Sequence, residues 1–115
     1  MSNARDPYLV LSDVADELWD LYQSSLNENQ KASEQAKSMH DKLENGYLEP
    51  IRRSKVKENT EKYETISAGL KTRTDFIDEQ IKRIGKIVES TQKISEYAKI
   101  FDQVSAAAAK FLAMI

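Results

Sequence analysis

The sequence has no cysteine, 3 glycines, 2 prolines and 1 histidine in 115 residues, and each shortage removes a class of protein. Without thiols there is neither a disulfide scaffold nor a cysteine-ligated metal site, and the chain suits a reducing, cytoplasmic setting. The low glycine and proline content excludes collagen-like, turn-dense β and Gly-rich phosphate-loop architectures. No GxGxxG, Walker A or EF-hand pattern is present. A single His40 leaves no HExxH or paired-histidine zinc site; with Glu44 it forms an i, i+4 pair that reads as an ordinary helix surface. Apolar runs of about 18 residues are missing, as is a basic-then-apolar leader, so neither a membrane span nor a signal peptide is expected. Asp75, Asp78 and Glu79 read as helix-surface charges, with no pocket to make them acids or bases. These absences predict a protein that is not an enzyme and takes no cofactor, metal or small-molecule substrate.

What remains is rich in helix formers and is 31% charged and 40% hydrophobic. Residues 1–5 read as a leader or tag remnant and 6–115 as one helical domain. Asp6 and Pro7 suit an N-cap and first helical position, with Ser12 as a competing cap. Leu11, Val14, Leu18, Leu21, Ser25, Asn29, Ala32, Ala36, Met39 and Leu43 recur at three-and-four spacing, predicting helix 1 over about 8–44. Its middle seam, with Ser25, Asn29, Ala32 and Ala36 in place of Leu and Ile, predicts looser packing there. Asn45, Gly46 and Pro50 predict a loop over 45–53. The stripe resumes at Val56 and continues through Ile66, Leu70, Ile77 and Ile84 to Ile115, giving helix 2 over about 54–96 and an apolar helical segment over 97–115.

At about 1.5 Å per residue, helix 1 would span roughly 55 Å and an unbroken 54–115 roughly 90 Å, so neither covers the other. The expected fold is therefore all-α: a long, coiled-coil-like antiparallel helical hairpin. The overhang is covered by a protein partner or a second copy in an oligomeric bundle; the alternative is a fold-back near Gly85 or Ser90 that makes a three-helix bundle. Residues 1–50 carry 4 basic and 10 acidic groups, a net of −6, against 13 basic and 9 acidic in 51–115, a net of +4. That asymmetry favours antiparallel pairing of the two halves.

Segment 97–115 is apolar around most of its circumference and must be buried around most of it. Ile100, Phe101, Val104, Ala108, Phe111, Leu112 and Ile115 are thus the predicted partner-binding or oligomerisation surface. Truncation of a longer protein after Met114-Ile115 would also explain an apolar terminus. A membrane surface is a weaker partner for this segment, having few cations and aromatics to hold it. Arg52, Arg53, Lys55 and Lys57 form the densest basic cluster, a candidate anion contact or a counterpart to the acids Asp41, Glu44 and Glu49. Nucleic acid is not expected at a sequence pI near 5.5.

Two family resemblances attach to short stretches. A helix, a short glycine-containing turn and a second helix in about a hundred residues resembles the small secreted WXG proteins. Here Asn45-Gly46-Tyr47 stands at the Trp-x-Gly turn, Trp19 lies within helix 1, and Phe101 stands where an acid would follow Tyr97. The opening Asp6-Pro7-Tyr8 with Val10 and Val14 is similar to the start of the helical N-terminal domains of syntaxin-6-like SNAREs, over about a tenth of the chain. These imply, as an alternative, a secreted hairpin or a membrane-associated regulator. The residues themselves predict a non-enzymatic helical interaction or assembly module.

Overall fold

The computed structural model describes residues 6–84 and 90–115. The expected leader at 1–5 and the expected weak point at Gly85 lie outside them. The described residues are all-α, with no strand among them.

Helix α1 (Pro7–Ser25) starts where Asp6 accepts the Tyr8 amide at 2.8 Å and Pro7, having no N–H to satisfy, occupies the first turn. It does not continue to residue 44. The chain turns at 26–29 and restarts as α2 (Gln30–Leu43), whose first turn is capped by the Asn29 side chain accepting the Ala32 amide at 3.0 Å. A hydroxyl and a carboxamide compete for backbone bonds, and this explains the break: Ser25 Oγ turns back onto the Leu21 carbonyl at 2.6 Å while Asn29 serves the next helix. The small seam is the corner of the fold, with Ala32 and Ala36 buried where α2 lies close against α1.

The stretch 45–53 is helix, correcting the expected loop. A π-turn at Glu44–Leu48 carries α2 into α3 (Glu49–Ser54), and the Glu49 amide reaches back five residues to the Glu44 carbonyl. The wider turn makes room ahead of Pro50, whose ring would crowd an ordinary α-helical turn. Gly46 is not a left-handed cap, and the space a side chain would enter there is open. The helix ends at Lys55, the one non-glycine residue with positive φ, at 57°, among those described. A left-handed backbone costs a side-chain-bearing residue about 1 kcal/mol or more. Lys55→Gly is therefore expected to raise stability by about 0.5–1 kcal/mol in urea unfolding, and a loss would place the strain elsewhere.

After a short 3-10 turn (Val56–Glu58), α4 (Thr60–Ile84) and α5 (Ser90–Ala113) complete the fold. The helix expected from 54 thus starts at Thr60. Helix α5 returns along α4: Lys62 meets the Ile115 carbonyl at 2.6 Å at one end, and Lys93 meets the Ile84 carbonyl at the other. The described chain measures 46 × 32 × 19 Å with a radius of gyration of 14.4 Å. A straight helix over 54–115 would be about 90 Å long, and α5 instead lies back along α4 within these dimensions.

One core joins all the long helices. Leu11, Leu18 and Leu21 of α1 meet Ala36 and Leu43 of α2, Ile66, Leu70 and Ile77 of α4, and Val104, Ala108 and Phe111 of α5. Burial of this stripe, rather than helix propensity, holds such helices in place.

Candidate functional site

The seven residues expected to meet a partner are mostly inside. Phe101, Val104, Ala108 and Phe111 are buried, while Ile100, Leu112 and Ile115 are half-buried. The Phe111 ring packs edge-on against Tyr8 at 6.2 Å and against Tyr63 at 6.0 Å between ring centres. Their own chain covers what was expected to be a docking surface, because α5 lies between α1, α2 and α4.

The basic cluster is likewise taken up internally. Arg52 donates to the Tyr8 hydroxyl at 2.9 Å and pairs with Glu44 and Glu49, while Arg53 reaches Glu49 at 3.5 Å. The Glu44 carboxylate above all, and then the Tyr8 hydroxyl, hold the Arg52 proton still more tightly than usual. Lys57 sits over the rings of Tyr8 and Tyr63, at 5.0 and 5.8 Å. Lys55 supplies the turn. Of the acids expected opposite this cluster, Glu44 and Glu49 are there, whereas Asp41 binds Lys37 at 2.8 Å and His40 at 2.9 Å. Those two contacts lower the Asp41 pKa, with the Lys37 hydrogen bond the larger cause. Beside Arg52, Tyr63 donates its hydroxyl to Asp6, tying the start of α4 to the start of α1.

The surface that stands out lies on the other side of α1. Trp19 and Leu26 remain 39% and 44% exposed, among the few large apolar side chains that the fold leaves exposed, with Leu9 and Phe76. Trp19, Tyr22 and Leu26 recur at three and four residues, which stacks them on one stripe of the helix. The Trp19 ring lies 5.0 Å from Tyr22 and 5.1 Å from His40 of α2. From Tyr22 and Leu26 an open groove of about 610 Å³ runs across to Gln30, Ser33, Lys37 and Asp41. Trp19 falls outside the periodic core stripe, and that mismatch is the sign of this row in the sequence.

Charge surrounds the row. Between Pro7 and Ser25, α1 carries Asp13, Asp16, Glu17 and Asp20 and no Lys or Arg. Asp13, Asp16 and Asp20 follow the same three-and-four spacing, on the strip next to Trp19. The Asp16 pKa is raised, first by partial desolvation and then by repulsion from Asp13, Asp20 and Glu44. In α4, by contrast, Asp75 pairs with Lys71 at 3.2 Å, Asp78 with Lys82 at 3.2 Å and Glu79 with Arg83 at 3.7 Å.

Among the described residues no group of three or more His, Cys, Asp or Glu side chains is placed to hold a metal, and no helix is long and apolar enough to cross a membrane. Compared with protein-family models, curated proteins and solved structures, the chain matches none.

Proposed function

We propose that the chain is a non-enzymatic helical protein–protein interaction or assembly module, a compact bundle whose docking surface is the α1–α2 face around Trp19, and that the occupant is a helix of another protein. The carrying observation is the Trp19–Tyr22–Leu26 row, with Trp19 and Leu26 exposed and Tyr22 half-buried at the edge of a groove, in a fold that buries Phe101, Phe111 and Tyr97. A stripe one side chain wide and two turns long fits an amphipathic helix, which offers anchors at the same spacing. The apolar 97–115 segment supports the reading from beneath, as the core that holds α1 and α2 in place.

The test is a displayed library of amphipathic helical peptides, random in charge, selected on the wild-type chain and counter-selected on Trp19→Ser. Enrichment of binders that need Trp19 is expected; binders indifferent to Trp19, or none, overturn the reading. Light scattering on the chain alone should give a mass near 13.1 kDa. A mass twice that value, falling back in Trp19→Ser, would assign the face to a second copy instead of a foreign helix.

A further inference from the structure

We infer that the helix received by the α1–α2 face is cationic, with Lys or Arg spaced three or four residues apart beside its apolar anchors; this rests on the docking role proposed for Trp19, Tyr22 and Leu26. Two independent features of the same face agree on the sign of the partner. The first is charge. Helix α1 bears four carboxylates and no basic residue of its own, whereas in α4 Asp75, Asp78 and Glu79 each pair with a Lys or Arg one turn away. Among the described residues no ion pair joins Asp16 or Asp20 to a cation; partial burial and then the neighbouring Asp13, Asp20 and Glu44 disfavour the Asp16 charge, with His40 a smaller opposing influence. A positive partner relieves that repulsion on binding; a negative one adds to it.

The second feature is the ring. Trp19 is 39% exposed, and an indole face is the strongest aromatic acceptor for Lys or Arg. The cations near it are already engaged: Lys37 and His40 both contact Asp41. A foreign cation would therefore find the ring and the Asp16 and Asp20 carboxylates without displacing an internal pair. The acidic row (Asp13, Asp16, Asp20) and the apolar row (Trp19, Tyr22, Leu26) follow one another along the axis and overlap near Trp19, together spanning about 20 Å, so a partner helix of about four turns could meet both. The basic residues of this chain make poor donors for the role: Arg52 is bound by Glu44, Glu49 and Tyr8, and Lys57 lies over Tyr8 and Tyr63.

The experiment titrates the full chain with three helical peptides of about six turns that share one leucine face and carry Lys, Gln or Glu at every polar position. Trp19 is the only tryptophan, so its emission reports the site directly. The Lys peptide is expected to bind one to one and shift Trp19 emission, at least about tenfold more tightly than the Gln peptide and far more tightly than the Glu peptide. Raising ionic strength from about 0.05 to about 0.3 M should weaken it several-fold. Asp16→Asn with Asp20→Asn, which leaves the size and helicity of α1 nearly unchanged, should lower its affinity by roughly three- to tenfold, read by anisotropy of the labelled peptide. Equal binding of all three peptides overturns the cationic inference and leaves helix docking standing; no binding by any overturns both. Lys-peptide binding indifferent to the Asp16 and Asp20 changes places the cation elsewhere and overturns the inference. So does a Trp19 shift on uncharged phosphatidylcholine vesicles in place of the peptides, which assigns the face to a lipid surface.

Discussion

Replacing Phe101, Phe111 and Leu112 together with serine is expected to unfold the chain. Phe111 is fully buried between Tyr8 and Tyr63, and Phe101 is 9% exposed. Truncating a buried Phe costs about 3–5 kcal/mol, and a serine hydroxyl left without a partner in the cavity adds to it. Two such losses approach the roughly 5–15 kcal/mol that holds a domain of this size together, before half-buried Leu112 is counted. Circular dichroism should show most of the helix signal gone and no cooperative melt. The single Phe111→Ser variant should melt far below wild type, while Leu9→Ser on the exposed side of α1 should change stability by less than about 0.5 kcal/mol. A triple variant that keeps its helicity and cooperative melt would return the 97–115 segment to the role of a surface. The tail expectation and the fold therefore predict opposite outcomes for the same three substitutions.

The second large effect is alkaline. Burial, followed by its hydrogen bond to Asp6, drives the Tyr63 phenol well above its ordinary value, and burial followed by the charge of Glu17 does the same to Tyr97. In both, folding favours the neutral phenol. Their contribution to stability is thus fully present below about pH 10, the ordinary tyrosine value, and is lost progressively as pH rises above it toward the folded values. Each unit of displacement corresponds to about 1.4 kcal/mol for a well-buried group such as Tyr97, and to less for Tyr63, where water reaches the ring. Of the 5 tyrosines, these two should ionise only as the helix signal disappears, giving a late step in absorbance near 295 nm. Tyr63→Phe and Tyr97→Phe should each remove part of that step. All five phenols ionising with the helices intact would show that neither hydroxyl is held by the fold.

Where the sequence reading failed, local chemistry had outweighed periodicity. The stripe from Leu11 to Leu43 is continuous in its spacing, and both ends of it are helical, yet Ser25 and Asn29 break it because their side chains bond the backbone. The run of Ser24, Ser25, Asn27 and Asn29 carried that signal, but the apolar spacing on either side hid it. Asn45, Gly46 and Pro50 misled in the opposite direction. They are frequent at helix ends, but here a π-turn accommodates them, and the reversal falls at Lys55, a residue with no preference for a left-handed backbone. The basic cluster at 52–57 was visible as charge, and Glu44 and Glu49 as its counterparts; Tyr8, 44 residues from Arg52 in the chain, was not.

By itself the sequence determined the helical class, because few glycines and prolines and a three-and-four apolar spacing leave no other way to bury the stripe. It also determined that segment 97–115 must be covered and that the acidic charge sits in the first half of the chain. Only the tertiary structure decided what covers that segment. Periodicity states which side chains must leave water and never which neighbour they meet, and here the return of α5 along α4 places Phe101, Val104, Ala108 and Phe111 in the core. The same packing decided which apolar residues are left over. Trp19 and Leu26 stay on the surface beside the strip of α1 whose Leu18, Leu21 and Ser25 are buried, so the candidate docking face is the remainder of how the core was filled.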